Sequence, residues 1–237
     1  MRVALFVPCY IDQFYPQVAV ASLELLEKLG CEVVVPKDQT CCGQPMANSG
    51  FASSTGGCDA NFTTNFDGFD YIVGPSGSCV LHLKEHHPSQ KIRSSVYEIC
   101  EFLTDILKVS SLTAKFPHRV GLHQSCHGQR FLRLSSMSER NEKPFSKLQD
   151  LLGLVQGIEV FLPKREDECC GFGGTFCVSE EAVSVKMGLD RIKEHDANAI
   201  EFIIGADTSC LMHMEGILRR QGSNVQVKHI VEILNYD

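Results

Sequence analysis

Eight cysteines in this sequence fall into two sets of matched spacing. Cys9 is followed after 31 residues by Cys41-Cys42-Gly43, and 36 residues separate Cys42 from Cys79. Cys126 is followed after 42 residues by Cys169-Cys170-Gly171, and 39 residues separate Cys170 from Cys210. The last member recurs with its neighbours, Ser78-Cys79-Val80-Leu81-His82 against Ser209-Cys210-Leu211-Met212-His213. Thiolates gathered in fours bind soft metals, as zinc ions or as iron–sulfur clusters. Two adjacent cysteines do not both reach one tetrahedral zinc ion without strain, whereas a multi-iron cluster offers separate metals to neighbouring sulfurs. The doublets therefore favour iron–sulfur chemistry. The glycine after each doublet lets the backbone turn with positive φ and approach a cluster closely. Cysteines serving only as small core residues would not repeat with matched neighbours.

The other chemistry-bearing residues read differently. Cys31, Cys58 and Cys100 have no cysteine at the matching place in the other half and read as core residues, Cys100 on a helix face with Val96, Ile99 and Leu103. Cys177, behind Gly173-Gly174, reads either as core or as an accessory ligand or thiol. His82 and His213 stand one helical turn beyond Cys79 and Cys210, a Cys-x-x-His spacing that makes them candidate ligands. His123 and His127 flank Cys126 with no match around Cys9 and read as polar loop residues. Gly171-Phe172-Gly173-Gly174 lacks the G-x-G-x-x-G spacing and a strand directly before it, which excludes a dinucleotide loop. Lys164 to Glu168 is a mixed charge run, as in a solvated loop.

The elements that must position these cysteines repeat as well. Val3–Val7, Glu32–Val35 and Tyr71–Val73 read as short buried strands. Between the first two, Val18, Ala21, Leu25, Leu26 and Leu29 give a helical face from Pro16 to Lys28, with Pro16 at its start and Gly30 at its C-cap. The second part repeats the order with Arg119–His123 as strand, Pro144–Leu152 as helix, Ile158–Leu162 as strand, Val178–His195 as helix and Ile200–Ile204 as strand. The alternation predicts an α/β protein of two pseudo-symmetric Rossmann-like halves with parallel sheets, residues 1–112 and 113–237, joined near Val109–Pro117. Ser53–Thr64 is rich in Gly, Ser and Thr and supports its expected helix weakly; Ser135–Lys143 reads as an exposed loop. Each motif cysteine falls just past a strand or at a helix start, the sheet edge where ligands collect in such folds and where helix N-termini favour thiolates.

Composition bounds the function. The net charge of −7 comes with no Lys/Arg cluster, which excludes a nucleic-acid footprint. The apolar run Val3–Pro8 is too short for a signal-peptide core, and no stretch approaches the ~20 apolar residues of a membrane span. The expected location is the cytoplasm, where 12 cysteines are metal ligands or thiols rather than a disulfide framework.

At Cys9, Cys41-Cys42-Gly43 and Cys79, repeated as Cys126, Cys169-Cys170-Gly171 and Cys210, the chain resembles the CCG cysteine-rich family. That family includes iron–sulfur subunits of complexes that reduce heterodisulfides or oxidise glycolate and lactate. Phe6-Val7-Pro8-Cys9-Tyr10, Gln39-Thr40-Cys41-Cys42-Gly43-Gln44-Pro45 and Ser76-Gly77-Ser78-Cys79 look most like the lactate-utilisation branch. The resemblance covers nearly the whole chain. It implies an iron–sulfur cluster of the four-iron type on the eight motif cysteines, with zinc able to take the place of a lost cluster. It also implies an electron-transfer subunit of a cytoplasmic oxidoreductase complex converting L-lactate to pyruvate. The implied partners are a ferredoxin-type iron–sulfur subunit and a third small subunit. In heterodisulfide-reducing relatives the motif ends in Cys-x-x-Cys and five cysteines hold a noncubane cluster; here Ser76 and Asp207 stand at the first position. Four cysteines per half then hold an ordinary four-iron cluster, a noncubane one with an oxygen ligand, or another metal. Two further readings stay open: a thiol-disulfide or heterodisulfide reductase-type subunit, and a zinc-stabilised assembly scaffold.

Overall fold

Short β-branched runs form the strands and Pro- or Ser-started amphipathic segments form the helices in the computed structural model, which describes residues 1–196 and 199–236. The first half runs β1 (Arg2–Leu5), α1 (Cys9–Phe14), α2 (Pro16–Lys28), β2 (Glu32–Val34), α3 (Gln44–Asn48), α4 (Gly56–Phe66), β3 (Ile72–Gly74), α5 (Gly77–His86), α6 (Gln90–Ser95), β4 (Val96–Glu98) and α7 (Ile99–Glu101). The second runs β5 (Arg119–His123), α8 (Cys126–Arg130), α9 (Lys147–Leu152), β6 (Glu159–Phe161), α10 (Phe176–Ser179), α11 (Glu181–Asp196), β7 (Phe202–Gly205), α12 (Thr208–Gln221), β8 (Gln226–His229) and α13 (Ile230–Leu234). Both sheets are parallel throughout, with strand orders β2-β1-β3-β4 and β6-β5-β7-β8. The expected pair of α/β halves is therefore present.

Helix α2 occupies the expected residues, with Pro16 in its first turn and Gly30 at φ +84 just beyond its end. Other boundaries differ. Strand β1 ends at Leu5 because the Val7 N–H turns away to the Gln39 side-chain oxygen, 2.7 Å distant. The helix expected from Pro144 starts at Lys147, where the Ser146 hydroxyl caps the N–H of Gln149. The helix expected over Val178–His195 is two, α10 and α11, interrupted at Glu180. The weakly marked α4 is held by tertiary packing: Phe62 and Phe66 stack at 4.3 Å and meet Phe6 edge-on.

Val96 is a strand residue rather than part of a helix face with Cys100. The fourth strands of both sheets lead into helices through the same device. The Glu98 carboxylate accepts N–H bonds from Cys100 and Glu101, while the Glu98 N–H donates back to Glu101. His229 and Glu232 repeat this capping box at α13, stabilising each helix start. In that match Cys100 corresponds to Val231, both buried. The sheets do not stand apart: α13 packs on α2, Asn235 donates to Glu24 at 2.7 Å, and a continuous apolar core includes residues of both.

Burial pushes the carboxyl of Glu98 up to about 8, against the N–H bonds that favour its charge. Because the folded value lies above the ordinary 4.5, its contribution to stability is complete below pH 4.5 and fades as pH rises through about 8. Glu98→Gln keeps an acceptor and removes the titration. Its urea midpoint should change less between pH 5 and pH 8 than that of the unsubstituted chain, which should fall.

Candidate metal centre

In a parallel sheet of order 2-1-3-4, the connections from the two central strands leave in opposite directions, opening a crevice beyond their C-terminal ends. Both halves place cysteines there. Cys9 opens α1 after β1, Cys79 lies in the first turn of α5 after β3, and the Cys41-Cys42 loop precedes α3. Cys126 opens α8, Cys210 lies in the first turn of α12, and Cys169-Cys170 follow β6. Cys9 and Cys41 have sulfurs 3.8 Å apart, Cys41 meets Cys42, and Cys42 meets Cys79. The second half repeats the chain of contacts as Cys126, Cys169, Cys170 and Cys210.

Gly43 and Gly171, at φ +90 and +92, turn the backbone so that each N–H donates to the first sulfur of its doublet at 3.4 Å. The expected positive-φ turn is thus present. Thiol contacts from Cys42 and Cys9, then the Gly43 N–H, pull Cys41 well below the usual thiol range. Contacts from Cys126 and Cys170, with the Gly171 N–H, do the same for Cys169. Cys9, Cys42, Cys126 and Cys170 are driven up, chiefly by hydrogen bonding to those two sulfurs and then by burial.

Ser76 and Asp207, the two departures from the Cys-x-x-Cys pattern, are both buried. One oxygen of Asp207 caps its own helix through the N–H and hydroxyl of Ser209, at 3.2 and 2.6 Å. The other accepts the Ser78 N–H at 2.8 Å, in the first turn of α5 in the opposite half. Asp207 thus ties the starts of α5 and α12 together, and its oxygens are engaged by those donors. Ser76 keeps its hydroxyl 3.4 Å from that of Ser78.

Both cysteine sets face one cavity of about 460 Å³ between the halves, lined by Cys9, Cys42, Cys79, Cys126, Cys169, Cys170 and Cys210. Tyr10 and Phe172 meet across it, ring centres 6.0 Å apart. Cys177 also lines it, its thiol 3.0 Å from the Gly174 carbonyl. Cys31 and Cys100 lie in the core as expected, and Cys58 packs half-buried over Gly43. His82 is buried, its ring centre 5.2 Å from that of His86. His213 is committed to Ser184, its Nε2 3.2 Å from the backbone carbonyl and 3.5 Å from the hydroxyl.

His123 is not a loop residue. It ends β5 and is 1% exposed. One ring nitrogen and the sulfurs of Cys170 and Cys210 all lie within 4.8 Å of one another. Burial, then the charge of Arg191, pushes His123 down to about 4, which keeps the imidazole neutral at pH 7. Sequence spacing alone hid this residue, since Phe6 stands at its place before Cys9. The soft, clustered donors fit a thiolate-bound metal group in each half.

The CCG model, described as a cysteine-rich domain, matches residues 3–84 and 120–215, and the chain belongs to this family. It is similar to the lactate utilization protein A of Geobacillus sp. (strain WCH70), at 38% identity over 246 residues covering 99% of both chains. It is likewise similar to the lactate utilization protein A of Exiguobacterium sp. (strain ATCC BAA-1283 / AT1b), at 40% over 247 residues, 99% of this chain and 97% of that one.

The two glycine turns should tolerate substitution unequally. A Cβ at Gly171 would meet the Ser184 carbonyl oxygen at 2.6 Å and the Met187 Cβ at 2.7 Å, whereas at Gly43 the nearest atoms, on Thr55 and Cys58, stand at 3.3–3.4 Å. Both alanines carry the left-handed backbone cost of about 1–2 kcal/mol. Gly171→Ala adds overpacking of about 1–3 kcal/mol. Urea unfolding should show Gly171→Ala as the less stable variant.

Proposed function

We propose that this chain is the iron–sulfur electron-transfer subunit of a cytoplasmic complex that oxidises L-lactate to pyruvate, working with a ferredoxin-type iron–sulfur subunit and a third small subunit. The observation that carries this reading is the pair of matched four-cysteine chains, seven of whose eight cysteines line one cavity. Cys9, Cys41, Cys42 and Cys79 would hold one cluster, of the four-iron type, and Cys126, Cys169, Cys170 and Cys210 the other. When bound, such clusters accept and release single electrons. The chain's own groups set their surroundings: the N–H groups of Gly43 and Gly171 donate to cysteine sulfur, and such donors together with burial tune the potential. No helix among the described residues is long and apolar enough to cross a membrane.

Lactate oxidation itself is assigned to a partner. Among the described residues lining the cavity none is Lys or Arg, so a carboxylate substrate meets no cationic clamp there. The names of the relatives, lactate utilization protein A, support the pathway. The disulfide-reductase reading has one observation in its favour, Cys177 in the same cavity as both cysteine sets. EPR of the anaerobic complex separates the two: lactate should reduce the clusters of this chain, and reduction only by a dithiol would favour the disulfide reading.

Substitutions should sort the cysteines. Cys42→Ser and Cys170→Ser exchange a soft thiolate for a poor ligand and should lose the iron of their own half together with lactate-driven reduction. Cys31→Ser and Cys100→Ser should keep their iron and lose about 1–3 kcal/mol of stability by burying a hydroxyl. Iron per chain in the four variants checks this; iron lost from Cys31→Ser and kept in Cys42→Ser would reverse the assignment.

A further inference from the structure

The two halves differ at one buried place. In the first, Phe6 precedes Cys9 by three residues and packs against Phe62 and Phe66 of α4. In the second, His123 precedes Cys126 by three residues. Thr55 and Cys58 pack over Gly43 as Ser184 and Met187 pack over Gly171, and the same offset matches Phe62 with Arg191 and Phe66 with His195. Three phenylalanines thus correspond to a histidine, an arginine and a histidine, each no more than 1% exposed. The first half shows that this packing site is satisfied by apolar side chains.

A polar trio in such a place carries a cost unless its donors and acceptors are used. Arg191 is partly satisfied, donating to the Glu168 carbonyl at 3.4 Å, the Arg165 carbonyl at 2.5 Å and the Glu194 carboxylate at 2.8 Å. His195 backs His123, ring centres 6.4 Å apart. Neither ring nitrogen of His123 has a hydrogen-bond partner among the described residues. The imidazole instead lies against sulfur, within 4.8 Å of Cys170 and Cys210. Metal bonds to histidine nitrogen and cysteine sulfur run about 2.0–2.3 Å, so a metal held by either sulfur is within its reach.

We propose that His123 is a nitrogen ligand of the metal group in the second half, joining Cys126, Cys169, Cys170 and Cys210, while the first half binds through sulfur alone. This rests on the iron–sulfur reading above. The two centres are then chemically unequal: the second carries a neutral imidazole in addition to its four cysteines, and the first does not.

The test uses the full chain, purified anaerobically, reduced, and labelled with ¹⁵N-histidine, examined by pulsed EPR with iron measured on the same sample. A directly bound imidazole nitrogen should appear, should change with the label, and should vanish in His123→Phe, which places the first half's own residue at this position. It should persist in His195→Phe. Iron present with no histidine nitrogen coupled to it overturns the inference and leaves the iron–sulfur reading standing; absence of iron overturns both. Coupling that survives in His123→Phe, or in His123→Asn should the former not fold, also overturns it.

Discussion

Four sulfurs linked in a chain of contacts, two buried and two half-buried in each half, cannot all carry negative charge without a counter-charge. Each half meets this constraint in the same way. One sulfur, Cys41 or Cys169, is pulled toward the thiolate by its neighbours' thiols and by a glycine N–H. Cys9 and Cys42, or Cys126 and Cys170, are held toward the thiol. A metal group reverses that balance, since a coordinated thiol gives up its proton. The architecture around the sulfurs serves to hold them in this arrangement: the parallel strand order sets the crevice, and the positive-φ glycines aim the N–H groups. Asp207 locks the starts of α5 and α12 across the pseudo-two-fold.

Symmetry explains what the repeat shares, and its breaks are where the halves acquire separate roles. The capping boxes Glu98/Glu101 and His229/Glu232 keep one geometry with different N-cap chemistry. Phe6 and His123 occupy one position with different consequences, a core contact in one half and an imidazole against cysteine sulfur in the other. Cys177 has no counterpart and lines the cavity on the side of the second half only.

Much of this was legible in the residues, wherever the signal was local. The α2 helix carries its own start and stop in Pro16 and Gly30, and the paired doublets mark the sheet edge without reference to a fold. The fourth strands were not legible: three residues such as Val96–Glu98 show no period, and the spacing of Val96, Ile99, Cys100 and Leu103 imitates a helix face. The site was legible in its sulfurs and hidden in its other parts. Asp207 meets Ser78 from a distant stretch of sequence, so only the pairing of the halves brings them together. His123 closes the expected strand from Arg119 as a polar residue beside the motif, and its burial comes from the packing of α11.

Electron transfer by this chain requires both cysteine sets to hold iron with sulfide. The most direct measurement is iron, acid-labile sulfide and zinc per chain in protein purified without exposure to oxygen. Iron and sulfide in comparable amounts are predicted, reduced to one half's complement when either Cys42 or Cys170 is replaced by serine. Zinc without sulfide in the unsubstituted chain would contradict the account and leave a scaffold in place of an electron carrier.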